Sequence, residues 1–318
     1  MDYTTLGRPG LNVSVAGLGC GGGSRLGQAG GKSETESVAL VRQAMDLGVN
    51  FFDTAEVYGT ERIVGLATGQ VPRDEVVIST KSQIRKGGEL LTGAEVVASL
   101  EASLRQLQMD HVDVFNLHGV RPAEYDHALN EIAPALLRER EKGKFRFLGV
   151  TETGPNDHRH DMLARAFDDD IWQVVMLAFH MMNHNARQSV FPNTLKNGIG
   201  TLMMFVVRRI FSDPDYLREI MTRLAASGEV AMELAEKEQP LDFLLHDGGA
   251  DSVIDAAYRF ARHEPGTDVI LFGTGSVAHL KSNIASILSP PLPTATLDTL
   301  NKLFAHLEGV GLDLPHRP

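Results

Sequence analysis

The sequence predicts a closed (β/α)8 TIM barrel with an N-terminal β-hairpin and an extra C-terminal helix, and three observations predict it. Eight apolar runs recur along the 318 residues. Amphipathic stretches separate them, and most of the runs are continuous rather than alternating. Continuous apolar runs are how parallel strands read when both faces are buried. Eight strand–helix units fit a closed barrel better than an open doubly wound sheet, which usually has fewer strands.

In chain order, YTTLGRPGLNVSV reads as a hairpin turning at Arg8-Pro9-Gly10. The strand runs follow as VSVAGLG (13–19), NFFD (50–53), EVVIST (75–80), VDVFNLH (112–118), FRFLGV (145–150), WQVVMLAF (172–179), GIGTLMMFVV (198–207) and DVILF (268–272). Two intervening helices announce their starts with capping boxes, Ser33 with Glu36 and Thr92 with Glu95. After the second box, Leu100, Leu104 and Leu107 fall on one helical face, as a helix laid on a barrel requires. The irregular stretch 228–250 follows the seventh strand and reads as a barrel insertion, and SPPLP (289–293) sets off a last helix over TLDTLNKLFAHL. No linker of domain-boundary type interrupts the chain, so residues 1–318 read as one barrel domain.

Composition bounds the partners. A chain that is 43% hydrophobic and 22% charged can bury a large core, and a formal charge of −11 argues against nucleic acid or an anionic membrane as partner. Cys20 is the only cysteine, which rules out an internal disulfide and a cysteine-based zinc cage and suits a reducing compartment. No basic segment leads into an apolar run at the N-terminus, and no later segment approaches about 18 apolar residues. A cytoplasmic location is the expectation.

Barrels of this type carry their chemistry at the C-terminal ends of the strands. Asp53 ends the second run, Lys81 follows the third, His118 ends the fourth, and Tyr58 lies in the loop after the second. Singly, each has an ordinary structural explanation: a turn cap, a solvated charge, a hydrogen-bonded core histidine, a packed loop tyrosine. Together, on consecutive strands, they converge on one rim. A phenol with an ordinary pKa near 10 is a poor proton donor at neutral pH unless its anion is stabilised. A buried ammonium does that, a carboxylate keeps the ammonium protonated, and a neutral imidazole can hydrogen-bond and orient a carbonyl oxygen. The set suits proton delivery to an oxygen that becomes negative as its carbon accepts hydride.

The stretch GVNFFDTAEVYG (48–59), with Lys81 in STKS and His118 in NLHGV, resembles the signature of the aldo-keto reductase superfamily. The likeness runs from LGRPGLNVSVAGLGCGG to ILFGTGSVAHLKSNI. It implies an NAD(P)-dependent oxidoreductase, of the aldehyde-reducing or alcohol-oxidising kind, in a monomeric-type barrel. Tyr58 would be the general acid, Asp53 and Lys81 would tune it, and His118 would align a small carbonyl or alcohol substrate. The dinucleotide, NADP(H) with NAD(H) left open, would lie across the tops of the later strands. Gly19 and Cys20 in GCGGG then belong to a close-approach turn beside it.

Several positions depart from the family pattern. A Ser-Asn pair commonly holds the nicotinamide carboxamide, and here the matching residues are Thr151 and Glu152; Glu152 can accept a hydrogen bond but cannot donate one when ionised. A glutamine of the sixth strand falls at Met176, and the stacking aromatic of the seventh at Met204 or Phe205. Val207, Arg208 and Arg209 then occupy the loop that meets the pyrophosphate, where arginine suits phosphate. After the eighth strand, the segment Gly273, Thr274, Gly275, Ser276 and on to Asn283 matches the 2′-phosphate and adenine end, with Gly273 and His279 where basic residues are usual. Fewer charges there imply weaker discrimination against NAD(H). The residues also permit two other readings: a non-catalytic nicotinamide-binding redox sensor, or a metal-dependent barrel hydrolase built on His158-x-His160 and His180-xxx-His184. The second leaves Tyr58 and Lys81 without a task, and no metal site is expected.

Overall fold

A computed structural model describes residues 1–313. Strands β1 (Tyr3–Leu6) and β2 (Leu11–Ser14) form the N-terminal hairpin, with Tyr3 paired to Ser14 and Leu6 to Leu11. Next come β3 (Ala16–Gly19), β4 (Phe51–Asp53) and β5 (Val77–Gln83). A two-rung hairpin, β6 (Arg85–Lys86) with β7 (Glu89–Leu90), then turns at Gly87-Gly88; nothing in the sequence reading anticipates it. The remaining strands are β8 (Val112–His118), β9 (Phe145–Thr151), β10 (Val174–Ala178), β11 (Gly200–Met204) and β12 (Val269–Phe272). Eight of the twelve close into a parallel barrel in the order β3-β4-β5-β8-β9-β10-β11-β12, and β12 pairs back onto β3.

Two strand ends differ from expectation for visible reasons. β5 runs on to Gln83 because its ladder with β8 continues through Lys81↔Asn116 and Gln83↔His118. β11 stops at Met204, short of residue 207, because Phe205 adopts a left-handed φ of 64° that no strand accommodates. Both capping boxes form as read, at the helices Glu34–Asp46 and Gly93–Leu107, and the second helix buries Leu100, Leu104 and Leu107. The C-terminal helix spans Thr294–Phe304. Residues 228–250 contain only the short turns Met232–Ala235 and Asp242–Leu244, between the helices Pro214–Ala226 and Val253–Arg262. Among the described residues no helix is long and apolar enough to cross a membrane.

The two-residue period of a strand decides what reaches the site. Phe51, Val77, Val114, Val174, Met176, Leu202 and Val269 fill the barrel interior, and the hairpin residues Leu6, Leu11 and Val13 join that cluster. Phe52, Ile78, Phe115, Leu148, Val175, Met203 and Ile270 face outward into the larger cluster under the helices. The hairpin thus packs with the interior cluster, away from the strand tops. Counting two from Phe51 gives Asp53, four from Val77 gives Lys81, and four from Val114 gives His118. The same alternation that buries the apolar residues turns these polar ones inward at the top.

Candidate active site

Lys81 Nζ donates to Asp53 Oδ2 at 2.6 Å and to the Thr54 carbonyl at 2.7 Å, and its side chain is fully buried. Asp53 Oδ1 accepts from Ser79 Oγ at 2.9 Å, and Ser79 Oγ accepts in turn from Asn116 Nδ2 at 3.0 Å. The ammonium lies 4.9 Å from the centre of the Tyr58 ring. Tyr58 meets His118 edge to face, with the hydroxyl 3.4 Å from His118 Nε2. That separation is long for a direct bond and leaves both groups able to address a third oxygen.

The electrostatics follow from burial and from one paired charge. Burial pushes the Asp53 carboxyl up, and the Lys81 charge opposes it. For Lys81, burial pushes down but the Asp53 charge more than restores it, so the ammonium is held above its ordinary range. Burial also raises the Tyr58 phenol, with Lys81 pulling the other way. Tyr58 therefore keeps its proton at neutral pH. His118 is lowered to about 3 by burial, with Lys81 and Arg85 adding to it, and is neutral under ordinary conditions.

Gly21, in the GCGGG run, packs against the Tyr58 ring. An ideal Cβ at this position would lie 2.5 Å from Tyr58 Cε2. The backbone there is not in the left-handed region, so the Tyr58 ring is what a side chain would meet first. Gly21→Ala is expected to shift the phenol and lower turnover by about a hundredfold, as ångström-scale misplacement of a reacting group does. Steady-state rates compared with melting temperature check this, since the fold should survive.

A cavity of about 920 Å³ opens above these residues, lined by Tyr58, His118, Thr151, Glu152, Met176, Met204, Phe205 and Arg208 among the sequence candidates. Thr151 Oγ1 accepts from the Gly119 amide at 2.7 Å, which leaves its own proton free to donate. Arg208 sits over the Phe205 ring at 4.3 Å, and its Nε is buried without a partner among the described residues. Arg209 turns elsewhere, donating to Asp213 at 3.0 Å and covering Tyr216. Of the methionines near these strands, Met176 and Met204 line the cavity, whereas Met181, Met182 and Met203 pack under the helices.

The other candidates lie off the cavity. Cys20 is fully buried in the outer core and Val207 packs against it, while Gly19 runs alongside Gly273. The turn after β12 is tied by a hydrogen bond from the Ser276 amide to Thr274 Oγ1 at 3.0 Å and precedes the helix Val277–Leu288. Gly275 presses on Gly27, His279 is exposed and Asn283 half-buried. The loop after β3 and the loop after β12 are thus in contact, a proximity that no local sequence pattern encodes.

Glu152 is placed differently from a free carboxamide ligand. Its carboxylate has no exposed surface: Oε1 accepts from the Ala178 amide at 2.8 Å, and Oε2 lies 2.6 Å from His160 Nδ1. His160 Nε2 reaches Asn185 Oδ1 at 3.0 Å. Burial pushes His160 down and Glu152 more than compensates, so the imidazole is raised above its usual value. His184 Nε2 is bonded to the Met181 carbonyl at 2.6 Å, and His180 is buried and lowered to about 3. Among the described residues no group of three or more His, Cys, Asp or Glu side chains is placed to hold a metal ion.

Residues 18–305 match the model of the aldo/keto reductase family. The chain is 27% identical to L-galactose dehydrogenase of Arabidopsis thaliana, over 98% of this chain and 95% of the relative. To the aldo-keto reductase YhdN of Bacillus subtilis it is 26% identical, over 89% and 87%. Its backbone superposes on the holo form of aldo-keto reductase AKR11C1 from Bacillus halodurans with a TM-score of 0.74 at 20% identity, covering 98% of this chain and all of that one. With a family model spanning nearly its whole length, the chain belongs to the aldo/keto reductase family, whose members are nicotinamide-dependent carbonyl oxidoreductases.

Proposed function

We propose that the chain reduces an aldehyde or ketone, or oxidises the corresponding alcohol, with Tyr58 as proton donor and NADP(H) as the usual dinucleotide. The observation that carries this reading is the continuous contact from Asp53 through Lys81 to Tyr58, with neutral His118 beside the phenol. The residues present fit the cofactor. Arg208 has an unpartnered buried Nε suited to a phosphate, and Thr151 offers a hydroxyl proton to a carboxamide oxygen.

When bound, the reduced nicotinamide supplies hydride to the carbonyl carbon. The chain does the rest. His118 and Tyr58 fix the carbonyl oxygen by hydrogen bonds, and Tyr58 releases its proton to that oxygen as negative charge builds there. Lys81 stabilises the phenolate left behind, and Asp53 keeps Lys81 charged. Glu152, held inward by His160, shapes the wall rather than bonding the ligand. L-galactose dehydrogenase among the relatives favours a polyhydroxylated carbonyl or its alcohol as substrate.

The loop after β12 offers hydroxyls and backbone donors but no guanidinium for a 2′-phosphate, since Gly273 and exposed His279 stand at those positions. Each missing charge-assisted contact is worth about 1.5 to 3 kcal/mol. Titration with both reduced dinucleotides is therefore expected to give an NADPH preference below about a hundredfold. A preference above about a thousandfold would show that the phosphate is held elsewhere, and binding of neither would overturn the oxidoreductase reading.

A further inference from the structure

The cavity lining is rich in arginine although the chain as a whole is acidic. The protein carries a net −11, yet four arginines line the cavity, namely Arg25, Arg85, Arg121 and Arg208. Its one acidic lining residue, Glu152, has both oxygens engaged. A cleft of one sign in a protein of the other focuses anions. Arg85 is already committed to Glu124 and to the Gly119 carbonyl, and Arg121 shares the same glutamate at 3.9 Å. Arg25 makes no side-chain hydrogen bond or ion pair among the described residues, and it shares the cavity with Tyr58 and His118.

The backbone beneath Arg25 is shaped without regard to any such partner. Arg25 has φ 43° and Leu26 φ 57°, two successive non-glycine residues in the left-handed region, a conformation that persists only where the surroundings enforce it. Those surroundings are identifiable. Leu26 is fully buried, its carbonyl accepts from Ser37 Oγ at 3.0 Å, and Gly27 is wedged between the Lys32 stem and Gly275. The loop is locked on its inner side, and Arg25, which lines the cavity, is left without a side-chain partner among the described residues.

We propose that Arg25 is an anion anchor of the active-site cleft, taking a carboxylate or phosphate oxygen of the ligand bound over Tyr58. A guanidinium suits either group through paired N–H donors. The anion is an acid group of the carbonyl substrate or a phosphate of the dinucleotide; naming the ligand rests on the oxidoreductase reading, whereas the anion site itself does not.

Arg25→Met and Arg25→Gln separate these sources. Calorimetry with NADPH and with inorganic pyrophosphate reads the first arm, and KM for 4-oxobutanoate against butanal, matched in length and differing in charge, reads the second. An anchor for the dinucleotide predicts that both variants bind NADPH and pyrophosphate about tenfold to a hundredfold more weakly. An anchor for the substrate predicts a rise of the same size in KM for 4-oxobutanoate alone, with butanal and NADPH unchanged. The proposal is overturned if both variants match the wild type with all four probes, or if butanal and 4-oxobutanoate suffer equally while NADPH and pyrophosphate binding hold. A wild type that binds no NADPH and reduces neither aldehyde would sink the oxidoreductase reading, and the pyrophosphate arm would still decide the role of Arg25.

Discussion

Replacing Tyr58 with phenylalanine is expected to lower carbonyl-reducing turnover by about two to four orders of magnitude while leaving dinucleotide affinity almost unchanged. Only the hydroxyl is lost. The ring keeps its contact with Gly21 and its edge-to-face packing on His118, so the cavity keeps its shape. The substrate oxygen then has a single donor, His118. With a pKa of about 3, that imidazole is a hydrogen-bond donor and not a source of protons at neutral pH. Steady-state kcat at saturating dinucleotide, with the dissociation constant measured separately, checks both halves. Near wild-type turnover in Tyr58→Phe would remove the phenol from the mechanism.

Lys81→Met has the second large effect, and it acts on stability as well as rate. The substitution keeps most of the volume but strips Asp53 of its counter-charge, leaving only the Ser79 hydroxyl on the carboxylate. Breaking a buried pair in this way costs about 3 to 5 kcal/mol. Burial then raises the Asp53 carboxyl with only the Ser79 hydrogen bond opposing it. A folded-state pKa above the unfolded one means the folded variant binds the proton more tightly. Its stability is greatest below the unfolded carboxyl pKa and is lost as pH rises through the raised one. The melting deficit against wild type should therefore shrink as pH falls from neutral. Tyr58 loses the one charge that lowers it, so activity should fall and the alkaline limb of the reduction profile should move up in pH. A deficit independent of pH together with an unmoved profile would mean that Lys81 is not the partner of these two groups.

The barrel was legible because its strands are buried on both faces, and eight continuous apolar runs have few other homes. Asp53 and His118 were legible for the same reason, as polar residues ending runs that the pleat directs inward. Local chemistry was equally plain at Ser33 and Thr92, where each cap and its glutamate stand three residues apart. What failed to show depends on contacts distant in the chain. The left-handed turn at Phe205 that cuts β11 short has no signature in an apolar run ending in Phe-Val-Val. Glu152 follows Thr151 in the sequence, but the direction of its carboxylate is set by His160 and the Ala178 amide, eight and twenty-six residues away. Of the histidines in the two spaced pairs, His160 is bonded to that glutamate and His184 to the Met181 carbonyl, partners no local spacing reveals. Arg25 lies in no motif. Its significance is the lack of a side-chain partner among the described residues, which only the fold can show.

A single-turnover experiment with dinucleotide bound in advance tests the role of Tyr58 most directly. Wild type and Tyr58→Phe, each saturated with NADPH, are mixed with an activated aldehyde such as 4-nitrobenzaldehyde, and loss of the reduced-nicotinamide signal is followed alongside formation of the alcohol. Proton donation by Tyr58 predicts one alcohol formed per NADPH oxidised in the wild type, and the same product at a rate about two to four orders of magnitude lower in the variant. Equal rates in the two proteins, or no aldehyde-dependent oxidation by wild type that has bound NADPH, would contradict it.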